Sequence, residues 1–167
     1  IRHVANLETV LDGAGPLHDA ADRVAGWLNQ ADLPARVEED LRPTLWHKLV
    51  ANAAINPLTA LAGVANGGLL DDGDLRDRML LLARETAAAA RAEGVAITDD
   101  EAERIAAWAA EATRENTSSM RQDVEAGRPT EIDLLNGAVL RIAEHHGLNL
   151  PETRRVTEAI RGQEQQR

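Results

Sequence analysis

Residues 74–93 place Leu75, Met79, Leu82, Ala83, Thr86, Ala87 and Ala90 on one stripe at helical spacing. Gly94 follows as the predicted C-cap, and Thr98-Asp-Asp-Glu101 supplies a capping box for another helix. A long amphipathic helix that stops and restarts at once must bury its stripe against other helices. Composition says with what: the chain has three Trp, no Phe and no Tyr. The core is therefore Leu, Ile, Val and much Ala, whose small side chains let helices pack closely.

The rest of the chain divides at about residue 40. Residues 3–11 (HVANLETVL) read as a strand, and Gly13 and Gly15 break it. Pro16 suits a first helical turn. Leu17, Ala20, Ala21, Val24, Ala25 and Leu28 follow at helical spacing, and LPARVEED (33–40) reads as a short strand. Residues 1 to about 40 are thus β-α-β. From Pro43 onward the pattern is helical. Asn56 precedes Pro57, which disfavours α geometry at Asn56 and predicts a helix boundary there, with Asn56 capping a short second helix that NGG (66–68) ends. A helix from the Thr98 box runs towards Asn116, with a further turn or two up to Gly127. Thr130-Glu-Ile-Asp133 predicts a helix ending at Gly147, and Pro151 starts the last one. The final GQEQQR is expected to fray.

The formal charge of −10 argues against non-specific nucleic-acid binding. The acid is spread along the chain and reads as a solvated surface. With no cysteine there is no disulfide framework and no thiolate chemistry. No apolar run approaches the roughly 20 residues needed to span a bilayer, and a soluble cytoplasmic location is the expectation.

In LWHKLVANAAINPLTAL (45–61), Lys48 is the only lysine; arginine supplies the other 17 of 18 basic residues. Lys48, Asn52 and Asn56 lie at i, i+4 and i+8, so successive members turn by about 40° and share one helix stripe. One ammonium and two amides can donate and accept along that line. An ordinary surface lysine and a backbone-bonded Asn52 would also fit. A lysine kept among arginines suggests proton donation, since arginine is never deprotonated in proteins. A second polar cluster, ENTSSMRQDVEAGRPTEIDLLNG (115–137), sets Asn116 and three hydroxyl residues before Glu131. Thr117 or Ser118 as a cap, and Glu131 as a first-turn acid, account for it on spacing alone. GAGPLH (13–18) lacks a dinucleotide fingerprint. Adjacent His145 and His146 do not face one ligand, so no metal site is expected.

The stretch 45–61 resembles the LW-x-K-L-x-x-N-x-x-I-N-P-L-T-A segment of ketopantoate reductases (2-dehydropantoate 2-reductases). NGGLL (66–70) follows where the family often has NGELL, and TSSMRQDVEAGRPTEIDLLNGAVL (117–140) and HGLNLPET (146–153) continue the match in order. The resemblance implies a mainly α fold: an all-helical C-terminal dehydrogenase domain, similar to that of 6-phosphogluconate dehydrogenase, over residues 43–167. Residues 1–42 would be the end of an N-terminal NADP-binding Rossmann domain. It implies NADPH as cofactor, bound mainly outside this chain, and ketopantoate, a small 2-ketoacid, as substrate. By motif match, Lys48 would be the general acid, Asn52 and Asn56 would hold the substrate's hydroxyl and carbonyl side, and Ser119 with Asn116 would bind its carboxylate. Glu131 would be the acidic partner near Lys48 and the cofactor ribose. The 167-residue piece alone is expected to be inactive, and a homodimer is one expected assembly. Two other readings are a helical dimerisation module of a related 2-ketoacid dehydrogenase, and a binding-only relative that has lost the chemistry.

Overall fold

The computed structural model describes residues 8–165; the predicted strand's residues before Glu8 and the last two of the fraying tail lie outside them. The chain forms two compact units, residues 1–45 and 46–167.

In the first unit, β1 (Thr9–Asp12) pairs in parallel with β2 (Ala35–Glu38), Thr9 opposite Ala35 and Asp12 opposite Glu38. A 3₁₀ turn over Gly15–Leu17, with Pro16 at its start, leads into α1 (His18–Gln30) between the strands. The predicted β-α-β order is therefore present. Gly13 has no room for a side chain, since a Cβ there would collide with Val37. Asn29 ties the end of α1 to β2, donating to the Ala35 carbonyl at 2.8 Å and accepting its N–H at 2.9 Å. The predicted α1 stripe is only partly used. Ala25 is buried, whereas Leu17 and Val24 are exposed; among the described residues, two four-residue strands cover only part of the helix face.

The second unit is helical. It contains most of α2 (Arg42–Ala62), then α3 (Gly68–Asp71), α4 (Gly73–Ala92), α5 (Asp99–Ala112), α6 (Ser119–Glu125), α7 (Asn136–His146) and α8 (Pro151–Gln165). On α4, Met79, Leu82, Ala83, Thr86, Ala87 and Ala90 are fully buried, as their spacing predicts. They share a core with Ala102, Ala106 and Ala110 of α5, which recur every fourth residue and let that helix approach closely. Thr98 accepts the Glu101 N–H at 3.2 Å, and Gly94 (φ 80°) and Gly147 (φ 67°) end α4 and α7 in left-handed geometry. Of the three Trp, Trp46 packs against the core, while Trp27 and Trp108 are exposed.

Two boundaries differ from the sequence reading. Helix α2 runs through Asn56 and Pro57 without a break, so Asn56 is not a cap. The helix stops at Gly63 (φ 67°), and NGG leads into α3 instead of ending a helix. The reason is tertiary: Pro57 has no N–H for the Ala53 carbonyl, and the Asn136 side-chain amide donates to it at 3.0 Å. The Thr130–Asp133 box does not open a helix. The Thr130 hydroxyl accepts the Ile132 N–H at 3.3 Å, the chain turns over Glu131, and α7 begins at Asn136.

Candidate functional site

Helix α2 is two-faced. Val50, Ala53, Ala54 and Leu58 are fully buried. Lys48 is exposed, and Asn52 and Asn56 are half-buried. Among the described residues, none of these three side chains has a hydrogen-bond or ion-pair partner. Arginine behaves differently: ten of them hold carboxylates in ion pairs. From Lys48 to Asn56 the stripe rises about 12 Å along the axis, with its donors unspent among the described residues.

The 117–140 segment docks on α2 around Pro57. Ser118 Oγ lies 2.7 Å from Thr59 Oγ1, and Thr59 also donates to the Ile55 and Asn56 carbonyls. Ser118 is the N-cap of α6, accepting the Arg121 N–H at 3.2 Å. That leaves Ser119 exposed, its hydroxyl without a partner among the described residues. Met120 and Ile132 form a buried cluster with Ala60 of α2 and Ile160. This anchors the turn that presents Glu131, whose carboxylate is exposed and, among the described residues, unpaired. Asn116 lies in the preceding turn; its carbonyl accepts the Asn66 N–H at 3.0 Å, and its side chain is exposed. Contacts at Ala53, Thr59 and Ala60 thus dock the 117–140 segment on the C-terminal half of α2. Lys48 lies at the far end of the stripe from Pro57. The sequence reading missed Thr59 and Asn136, and it named Ser118 only as one of two candidate caps. One signal was present: a proline four residues after Ala53 announces a carbonyl in need of a distant donor.

A cavity of about 860 Å³ lies on the other side of Lys48. His47, Lys48 and Ala51 of α2 and Glu101, Arg104 and Trp108 of α5 line it, and Asn52 and Asn56 do not. Helical geometry explains this. Ala51 and His47 lie about 60° and 100° round the helix from Lys48 in one direction, Asn52 and Asn56 about 40° and 80° in the other. Lys48 borders both regions, and His47 is held by Glu101 at 3.2 Å. Among the described residues, no group of three or more His, Cys, Asp or Glu could hold a metal ion, and no helix is long and apolar enough to cross a membrane. In the first unit, the Gly13 N–H donates to Glu38 and the Ala14 N–H to Asp12, so these amides are not free to cradle a phosphate.

The helical unit thus presents an ammonium, amides, a hydroxyl and a carboxylate on α2 and the segment docked against it. The family described as ketopantoate reductase PanE/ApbA C terminal matches residues 40–164, and the chain belongs to that family. It is 35% identical to the 2-dehydropantoate 2-reductase of Salmonella typhimurium over 164 residues, covering 98% of this chain and 53% of that one. The crystal structure of a PanE/ApbA family ketopantoate reductase from Ralstonia eutropha matches with a TM-score of 0.86 at 31% identity, over 99% of this chain and 54% of the other. D-mandelate dehydrogenase, solved with NADH and anilino(oxo)acetate, shares the fold with a TM-score of 0.85 at 23% identity, over 92% and 64%. The chain spans about half the length of the curated relatives it matches.

Proposed function

We propose that this chain is the helical, substrate-binding part of an NADPH-dependent 2-dehydropantoate 2-reductase, which reduces ketopantoate to pantoate on the route to coenzyme A. The observation that carries the reading is the unpartnered Lys48–Asn52–Asn56 stripe, in a chain 35% identical to such reductases. When bound, a reduced nicotinamide supplies the hydride to the 2-keto carbon. The residues of this chain do the rest. Lys48 Nζ gives a proton to the carbonyl oxygen as negative charge develops there, and its own charge stabilises that oxygen in the transition state. Asn52 and Asn56 hold the hydroxyl and carbonyl side of the substrate. Ser119 and Asn116 bind the carboxylate. Exposed, unpaired Glu131 suits a cofactor ribose hydroxyl and acts as the acidic partner of Lys48. Residues 1–42 are the close of the nucleotide-binding domain in this reading. The shared fold of D-mandelate dehydrogenase does not choose the ketoacid, because function resides in the site and not the fold.

The experiment is NADPH oxidation by the full-length protein given ketopantoate. Lys48→Ala is expected to lower turnover by about a hundredfold or more, the scale of a general acid. Lys48→Arg should fail nearly as badly, since arginine keeps the charge and cannot release the proton. An arginine variant close to wild type would remove the proton-donor role and leave Lys48 as a charge only.

A further inference from the structure

We infer that Asn136 is a positioning residue for the Lys48–Asn56 stripe: it makes the hydrogen bond that Pro57 cannot make and so keeps Asn52 and Asn56 on one unbroken helix. This rests on the stripe being the ketoacid site. Pro57 lies inside the 21-residue α2. Proline removes the N–H that would reach the carbonyl four residues back and presses its ring on that carbonyl. Here the carbonyl is that of Ala53, a residue with no solvent exposure, so water does not replace the missing donor. Asn136 does, through Nδ2 at 3.0 Å, from the first residue of α7 and 83 positions along the chain.

Two further observations favour the donor as the purpose of this side chain. Asn136 is itself fully buried, and its Oδ1 has no partner. A leucine of similar size would leave no orphan oxygen, so the amide is explained by its N–H and not by its volume. Ala53 also sits between Asn52 and Asn56. A bend opened at its carbonyl changes the angle between those two amides, while Lys48, more than a turn earlier, stays with the N-terminal half of the helix.

A double-variant cycle on the full-length protein tests this, reading KM and kcat for ketopantoate with NADPH together with Tm. Asn136→Leu is expected to raise KM about tenfold and change kcat less than about threefold, the pattern of a misplaced binding group. Pro57→Ala restores a backbone N–H and is expected to change KM less than about threefold. In that background Asn136→Leu should leave KM almost unaltered. An equal KM penalty in both backgrounds overturns the inference, as does an Asn136→Leu variant with lowered Tm and unchanged KM. Should Asn136→Leu fail to fold, Asn136→Ala runs the same cycle. If the wild type does not turn over ketopantoate, the substrate reading has failed on its own. Amide hydrogen exchange at Asn56 and Leu58 then decides the bridge: Asn136→Leu should accelerate it only while Pro57 is present, and acceleration independent of Pro57, or none, removes it.

Discussion

Ser118 and Ser119 are chemically identical neighbours with different tasks. Ser118 is buried, caps α6 and meets Thr59, while Ser119 beside it is exposed and, among the described residues, unbonded. Ser118→Ala is expected to lower unfolding free energy by about 1–2 kcal/mol, a lost cap together with a buried hydroxyl left bare, as measured by urea titration. Ser119→Ala should leave that titration unchanged and raise KM for the ketoacid severalfold. The reverse pattern would take the carboxylate from Ser119. Sequence left the cap open between Thr117 and Ser118, because either hydroxyl can reach a first-turn amide and only the partner on α2 decides. Asp40 shows a local interaction with a pH signature. The Arg42 guanidinium and backbone N–H hold its carboxyl at about 2. An unfolded Asp titrates near 3.9, so the favourable effect of its ionised form is complete above about 4 and is lost as pH falls towards about 2. The Asp40 carboxyl carbon, followed by NMR, should titrate at about 2; Arg42→Ala should move the midpoint up, and a wild-type midpoint near the unfolded value would show that the contact does not form.

Helix ends divide into those set by neighbours in sequence and those set from afar. The Thr98 cap and the left-handed glycines at 94 and 147 were legible because each acts within one turn. The continuity of α2 was not, because the donor that tolerates Pro57 lies 83 residues away. The start of α8 is of the second kind. Pro151 marks it in the sequence, but its amides are held by Glu85 of α4, which accepts the Glu152 N–H at 3.0 Å, the Thr153 N–H at 2.7 Å and the Thr153 hydroxyl at 2.6 Å. A carboxylate at a helix N-terminus gains from both the hydrogen bonds and the dipole. Glu85 is buried, so Glu85→Ala strands those donors away from water and is expected to cost roughly 3 kcal/mol. Glu85→Gln keeps one acceptor and should cost about half as much. Urea titration of both variants measures this, and a cost below about 1 kcal/mol for the alanine variant would mean that water replaces the carboxylate.

At the scale of the whole chain, the change near residue 40 from β-α-β to helices was readable, because hydrophobic period and turn residues both change there. The stability of each unit was not readable, since it depends on how much of each apolar face finds cover. The second unit buries apolar side chains from every one of its long helices. The first buries Ala25 and Ala35 and leaves Leu17, Val24, Trp27 and Leu33 exposed. Among the described residues, the two strands of four residues and the single helix of this unit bury little apolar surface. Residues 8–45 of the 167-residue chain should therefore open at far lower free energy than the helical unit. Limited trypsin digestion read by mass spectrometry is expected to cut first after Arg23 or Arg36 and leave a helical fragment intact. First cuts within α4 or α5 would reverse the order of stability. The same argument predicts that the 167-residue chain does not oxidise NADPH with ketopantoate at a rate approaching that of the full-length protein. A nucleotide needs a stable sheet edge and free loop amides, and the amides of Gly13 and Ala14 are already committed. Comparable turnover by the two would move cofactor binding into the helical unit, with Glu131 as its first candidate contact.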